Sequence, residues 1–129
     1  MNRPAELLAT ADTLLASPLD RSFGPMRRGT VFLLRKALEE MMREYWREVR
    51  PELAEGKGKT HAQSLCLGYR GHTDLAGRWS ALWLGLSRAC HYHQCPLPPS
   101  ITTLTAWRDE VAALLPEFEK LSLAGKWEL

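Results

Sequence analysis

The sequence predicts an all-α fold, an up-and-down four-helix bundle with a short additional helix, in a single domain that spans residues 1–129. Apolar residues recur at spacings of three and four along most of the chain, there is almost no strand signal, and the connections are mostly short. A chain of 129 residues, 45% of them apolar, is long enough to bury one core and too short for a second domain to be expected.

The first two helices are predicted from apolar spacing and from the prolines beside them. Residues 4–16 form a short helix that Pro4 begins and that stops before Pro18. Residues 26–50 form the clearest element, which Pro51 ends and whose stripe comprises Val31, Leu34, Leu38, Met41 and Tyr45, with Val49 one position late. Apolar residues also lie off this stripe, so the helix is expected to be central in its bundle.

The remaining helices follow the same reasoning. The stretch PELAEGKGKT is a predicted loop, and Thr60 is the expected cap of a short helix over residues 61–69. The next helix is expected to begin near Thr73, also as a cap, and to run to about Gln94, with a core stripe of Leu75, Trp79, Leu82, Leu86, Ala89 and His93. The last helix follows Ser100 and carries Pro116 near its end.

Small residues occupy a second stripe of the helix that begins near Thr73. Gly77, Ala81 and Gly85 lie four residues apart, and Arg88 continues this face. Glycine inside a helix costs about 1 kcal/mol relative to alanine, so a packing reason is expected. The stripe would let another backbone come close, either in a dimer or within one chain.

Charge and composition limit the function classes. A net charge of +2 is well short of what a protein that coats nucleic acid carries, so any nucleic-acid contact must be local. Three cysteines suit a reducing compartment better than a disulfide framework. Glu6 and Asp12 interrupt the N-terminal leucine clusters, which fits neither a signal peptide nor a membrane span. A cytoplasmic protein without membrane association is expected.

The stretch SRACHYHQC, residues 87–95, holds two of the four histidines and two of the three cysteines, and its Arg88 and His93 form the pattern R-x4-H. With this pattern near the end of a late helix, the chain resembles the HEPN superfamily of small all-α proteins. The run WSALWLGLSRACHYHQCPLPPSITTLTAWRDEVAALL is similar to a family of small actinobacterial HEPN-like proteins. The resemblance covers roughly residues 28–115 and is sharpest over residues 79–115. Twelve arginines against five lysines fit a GC-rich source.

The resemblance implies a metal-independent endoribonuclease that needs no cofactor and works as a homodimer, with both motifs facing a shared cleft. Histidine suits proton transfer from the 2′-hydroxyl of RNA, and arginine's planar fork suits the charge that develops on the phosphoryl group. By this carry-over His93 is the acid/base and Arg88 the phosphate clamp. The sequence departs from the family pattern at Ala89, where many active members carry a polar residue, and at Cys95, where some carry a tyrosine. Such a protein would act as a toxin, a defence effector or an RNA-processing factor, with RNA and an antitoxin or other protein as candidate partners.

Helical geometry adds a second candidate base. On an ideal helix Arg88 and His93 lie about 140° apart, whereas His91 lies about 60° from Arg88, so His91 is the alternative to His93. A basic cluster on the long second helix, expected to attract RNA phosphates, comprises Arg27, Arg28, Arg35 and Lys36.

Simpler interpretations stay open beside the catalytic one. Cations at a helix C-terminus stabilise its dipole, which alone would account for Arg88 and His93. The Cys/His cluster matches no standard zinc spacing, so no metal is predicted. The carboxylates of the second helix alternate with arginines in a pattern typical of a solvated face, with Glu39–Arg43 and Glu44–Arg47 as expected pairs. The alternative function is a non-catalytic HEPN-like module that binds a partner protein or nucleic acid.

Overall fold

A computed structural model of the chain describes residues 2–17, 24–55, 59–91 and 97–125. These ranges contain six helices and no strand, which confirms the all-α prediction: α1 (Arg3–Ala16), α2 (Gly24–Val49), α3 (Pro51–Ala54), α4 (Thr60–Tyr69), α5 (Thr73–Cys90) and α6 (Ile101–Gly125). None of the helices in this part of the chain is long and apolar enough to cross a membrane.

The central pair of the bundle, α2 and α5, is antiparallel. The indole Nε1 of Trp79 donates a hydrogen bond of 2.8 Å to the carbonyl of Leu38. Arg28, ten residues before Leu38, reaches the carbonyl of Ala89, ten residues after Trp79. Residue numbers therefore rise along α2 as they fall along α5. The short α4 lies antiparallel beside α5, where the hydroxyls of Ser64 and Ser80 are 2.7 Å apart.

The helix pairs α1–α6 and α5–α6 are antiparallel as well. Side chains join α1 to α6 at Asn2–Glu119 and at Asp12–Arg108, and they join α5 to α6 at Arg78–Glu117 and at Gly85–Trp107. In both cases the numbers run in opposite directions. The four long helices α1, α2, α5 and α6 thus alternate in direction, in the up-and-down order that the short connections predicted.

The core lies where the predicted stripes meet. All five stripe residues of α2 are buried, and Met42 and Trp46 beside that stripe are buried too, as expected of the central helix. Helix α5 buries Leu75, Trp79, Leu82, Leu86 and Ala89, and α6 buries Leu104, Val111, Leu114 and Phe118. Trp107 of α6 is half-buried and lies against Gly85.

The helix starts differ from the expected caps. Lys59 occupies the N-cap position of α4 and His72 that of α5, and neither side chain caps its helix. Thr60 and Thr73 are instead the first helical residues. The side chain of Thr60 is 1% exposed, so packing has taken it into the core and away from the cap position. Ser100 does cap α6, because its Oγ accepts a hydrogen bond of 3.1 Å from the N–H of Thr103.

Two further segments are more helical than expected. Pro51–Ala54, inside the predicted loop, forms one helical turn in which Pro51 takes the favoured first position and Ala54 is buried. Helix α6 continues past Pro116 to Gly125. Proline removes one backbone hydrogen bond and costs about 3 kcal/mol inside a helix. Burial of Phe118, together with Leu121 packed against the core, outweighs that cost here.

Candidate functional site at one end of the bundle

The start of α2 and the end of α5 meet at one end of the bundle. The guanidinium of Arg28 donates from Nη1 to the carbonyl of Ala89 at 3.3 Å, and Arg27 donates from Nη1 to the carbonyl of Pro99 at 3.4 Å. Arg28 therefore lies beside the segment that carries the R-x4-H pattern, and Arg27 lies beside the residues that precede α6. The group formed by Arg27, Arg28, Arg88 and His91 is called the basic end below.

Arg88 and His91 present exposed side chains at this end. Arg88 lies in the last turn of α5, and His91 is the residue that follows the helix, with an extended backbone at φ −95° and ψ 108°. The N–H of His91 donates to the carbonyl of Arg88 at 3.1 Å, which closes the final turn. A fixed cation and an imidazole are thus three residues apart on an exposed edge, open to an anionic ligand.

Helix α5 is shorter than expected: it ends at Cys90, whereas the sequence predicted an end near Gln94. In a longer helix the carbonyl of Ala89 would accept a hydrogen bond from the backbone N–H four residues later. Here it accepts one from the guanidinium of Arg28. The angles of about 140° between Arg88 and His93 and about 60° between Arg88 and His91 therefore do not apply, because the helix that they assume ends at Cys90. His93 belongs to residues 92–96, outside the described residues, so its role stays a prediction.

Two buried polar atoms near the basic end have no hydrogen-bond partner among the described residues. They are the Nε of Arg27 and the Oγ of Ser87, and the Ser87 residue is 9% exposed. A buried donor without a partner costs about 1–3 kcal/mol, so each atom has hydrogen-bonding capacity to offer a ligand or water. Sequence reasoning missed Ser87. Its only signal was a hydroxyl residue between Leu86 of the core stripe and Arg88 of the motif.

The predicted basic cluster of α2 divides into two parts. Arg27 and Arg28 belong to the basic end, whereas Arg35 and Lys36 lie about 10–12 Å further along the helix axis, at 1.5 Å per residue. The guanidinium of Arg35 lies 5.7 Å from the ring centroid of Trp83 and 3.6 Å from the carboxylate of Glu39. Its charge is therefore balanced within the fold, and it contributes less to the field at the basic end.

The carboxylates of α2 have other partners than the sequence suggested. Glu40 pairs with both Arg43, at 3.5 Å, and Arg47, at 3.8 Å. Partial burial raises the pKa of Glu44, although the hydrogen bond from the backbone of Arg3 lowers it. Glu44 thus lies against the start of α1 and is not simply part of a solvated face. These carboxylates are engaged in pairing and capping.

The described ranges contain no group of three histidine, cysteine, aspartate or glutamate side chains placed to hold a metal ion. His72 precedes α5 and Cys90 ends it, which separates them by about 27 Å along the helix. Cys66 lies on α4, and His61 lies against the ring of Trp83 with 5.8 Å between centroids. His91 follows Cys90 directly, and His93 and Cys95 lie outside the described residues.

Two recesses lie away from the basic end. One of about 430 Å³ is next to the start of α5, at the opposite end of that helix from Arg88, and its lining includes His72 and Lys120. The other, of about 310 Å³, lies between α5 and α6 beside Ala81 and Ala113. Neither is lined by a residue of the basic end.

No family model, no curated protein and no solved structure matches this chain. The resemblance to the HEPN superfamily therefore rests on the R-x4-H pattern and its helical setting.

Proposed function

We propose that the protein is a metal-independent endoribonuclease of the HEPN type in which Arg88 of the basic end is the phosphate clamp and His93, or His91 as the alternative, is the acid/base. The observation that supports this proposal is the hydrogen bond from Arg28 to the carbonyl of Ala89, within the R-x4-H pattern. Arg27 bonds to the carbonyl of Pro99, just before α6. Three arginines and an imidazole gather at one end of a chain whose net charge is only +2. That is a local site for the phosphates of RNA.

The reaction is transfer of the phosphoryl group to the neighbouring 2′-oxygen. His93, or His91 as the alternative, removes the proton from the 2′-hydroxyl, which attacks phosphorus. Arg88 stabilises the negative charge on the non-bridging oxygens, and a protonated imidazole returns a proton to the departing 5′-oxygen. The products are a 2′,3′-cyclic phosphate and a 5′-hydroxyl, and no step needs a metal ion.

The other basic residues have a supporting role in this proposal. Arg27 and Arg28, with Arg35 and Lys36 further along α2, attract and orient the RNA backbone. The cysteines described, Cys66 and Cys90, carry free thiols, which suits the proposed cytoplasmic location. The HEPN resemblance adds a role in toxin–antitoxin or defence systems, with an antitoxin or another protein as partner.

The test is RNA cleavage in EDTA by the purified native protein beside Arg88→Ala, His93→Ala and His91→Ala. The expected result is cleavage by the native protein, a loss of at least 100-fold on removal of Arg88, and a comparable loss for whichever histidine transfers the proton. Arg47→Ala is the matched control, because Arg47 is an exposed arginine near the far end of α2.

The result of the cleavage assay distinguishes the nuclease from the non-catalytic HEPN-like module. Cleavage that Arg88→Ala abolishes and Arg47→Ala leaves intact supports the nuclease. RNA binding without cleavage favours the non-catalytic HEPN-like module. Cleavage that survives removal of Arg88 and of both histidines overturns the proposed site. Circular dichroism of each variant shows whether the helices are intact.

A further inference from the structure

Phe32 is an exposed aromatic residue on α2, beside the basic end. It follows Arg28 by one helical turn, about 6 Å along the axis, and it is 53% exposed. The other phenylalanine of the described residues, Phe118, is 2% exposed and belongs to the core. Folding therefore leaves a large part of the Phe32 ring in contact with solvent, next to a cation of the candidate site.

The ring of Phe32 takes no part in the aromatic packing of the fold. Trp79 and Trp83 stack on each other with 5.9 Å between centroids, and the ring of His61 lies 5.8 Å from that of Trp83. Among the described residues, no other ring and no guanidinium makes such a contact with Phe32. A flat ligand can thus pack on Phe32 without displacing another aromatic side chain.

The surface beside Phe32 is open in the direction of the basic end. Helical side chains lean towards the N-terminus of their helix, so the ring lies over the turn that contains Arg28 and Gly29. A Cβ atom added at Gly29 would meet nothing within 4 Å. The space next to the ring is therefore clear, and it adjoins the arginine that bonds to the carbonyl of Ala89.

Positive charge flanks Phe32 on both sides along α2. Arg28 precedes it by one turn and Lys36 follows it by one turn. Glu40 lies one turn beyond Lys36, but it pairs with Arg43 at 3.5 Å. Lys36 forms no ion pair with a carboxylate of the described residues. Its charge is thus available to an anionic ligand.

An aromatic face between two cations matches the chemistry of a single-stranded nucleic acid. Every base has a flat face that stacks on aromatic side chains, while the phosphates on either side of it pair with cations. A base inside a duplex is already stacked on both faces, so only an unpaired base can use such a ring. The alternation of Arg28, Phe32 and Lys36 therefore favours a nucleotide strand laid along the start of α2.

We propose that Phe32 is a base-stacking subsite for an unpaired base of the RNA close to the scissile phosphate, with Lys36 on a phosphate beyond it. This inference rests on the proposed nuclease function for the identity of the strand. It adds a contact to a base where the arginines contact only phosphates, and it sets the direction in which the strand leaves the basic end.

The test is binding of a single-stranded RNA whose 2′-hydroxyls are all methylated, measured by fluorescence anisotropy. Methylation removes the attacking group, so the affinity is measured without cleavage. Phe32→Leu keeps an apolar side chain but removes the ring, and it should weaken binding at least fivefold, whereas Phe32→Trp should retain it. Tyr69→Leu is the matched control, because Tyr69 is an aromatic residue at the end of α4 that is 91% exposed. It should leave the affinity unchanged.

Strands that lack one base show whether the ring contacts a base. Removal of a single base at successive positions should weaken binding to the native chain at one position. Phe32→Leu should bind that strand and the intact strand equally, since the two losses then report the same contact. Lys36→Gln should lower the slope of log affinity against log salt concentration by about 0.7, as expected for one phosphate contact on a single strand.

The subsite and the nuclease can fail separately. Arg88-dependent cleavage of unmodified RNA, together with binding that Phe32→Leu leaves intact, overturns the subsite and supports the nuclease. Binding that depends on Phe32, without cleavage of unmodified RNA, supports the subsite and overturns the nuclease. A native chain that binds no single-stranded RNA, or a loss in Phe32→Leu that is the same for every strand lacking a base, also overturns the subsite. Circular dichroism confirms that each variant is folded.

Discussion

The guanidinium of Arg28 on α2 donates a hydrogen bond of 3.3 Å to the carbonyl of Ala89 on α5. This contact links the start of one central helix to the last turn of the other. It satisfies a carbonyl that the helix itself leaves open, and it brings a second cation to the part of the chain that carries Arg88 and His91.

Replacement of Arg28 should loosen the end of α5. Arg28→Met keeps the aliphatic stem but removes the donor, so we expect the free energy of unfolding to fall by about 1–2 kcal/mol. Backbone amides of the last turn of α5 should also exchange faster with solvent. Urea unfolding and hydrogen exchange measure the two effects. Arg47→Met is the control, and equal behaviour of the two variants would contradict the role given to Arg28.

The Glu44 carboxyl should make stability depend on pH. Burial raises its pKa in the folded chain above the ordinary value of 4.5. A raised pKa means that the stabilising effect of the protonated group is fully present below the ordinary value and is lost as pH rises through the raised one. Glu44→Gln cannot ionise, so its stability relative to the native chain should be greater at pH 7 than at pH 4.

Urea unfolding at the two pH values measures this difference. Glu48→Gln, at an exposed position one turn further along α2, provides the comparison. A stability difference for Glu44→Gln that is the same at pH 4 and pH 7 would show that the carboxyl is not desolvated as described.

Two glycines should respond to alanine in opposite directions. Gly77 lies in the middle of α5, where an added Cβ meets nothing within 4 Å, so Gly77→Ala should stabilise the fold by about 1 kcal/mol. Gly71, between α4 and α5, has φ +95°, so Gly71→Ala should destabilise it by about 1–2 kcal/mol. Thermal unfolding at low protein concentration compares the two. A lower Tm for Gly77→Ala would contradict the open space described at that position.

The ion pair between Asp12 and Arg108 should contribute modestly to the attachment of α1. The carboxylate accepts two hydrogen bonds, from Nε at 2.6 Å and from Nη2 at 2.9 Å. Both side chains are more than 30% exposed, so water screens the pair and the contribution is about 1 kcal/mol or less. Asp12→Asn should lose this amount in low salt and less in 0.5 M NaCl. A loss that salt does not reduce would indicate a packing effect.

The buried faces of the helices could be predicted from the sequence, whereas the ends of α5 and α6 could not. The stripe of α2 from Val31 to Tyr45 was visible because burial of one face imposes a spacing of three and four. The end of α5 was not visible, and Arg28, which contacts its last turn, lies 61 residues earlier in the chain. The continuation of α6 past Pro116 was likewise hidden, because burial of Phe118 is a tertiary effect that local propensity does not contain.

The candidate site shows the same division. The residue types of Arg88 and His91 and their position near the end of a helix followed from local sequence. The approach of Arg27 and Arg28 to that end required the fold, because residues of α2 and α5 become neighbours only through packing. The different surroundings of the two glycines of α5 also needed the fold, since a sequence does not show that Gly85 faces Trp107 while Gly77 faces outward.

The most direct measurement of the central claim is analysis of the product ends after incubation of RNA with the purified protein in EDTA. The account predicts 2′,3′-cyclic phosphate ends from the native protein, none from Arg88→Ala, and no cleavage of a DNA strand of the same sequence, which lacks the attacking hydroxyl. Intact RNA after incubation with the native protein, or cleavage of the DNA strand as well, would contradict it.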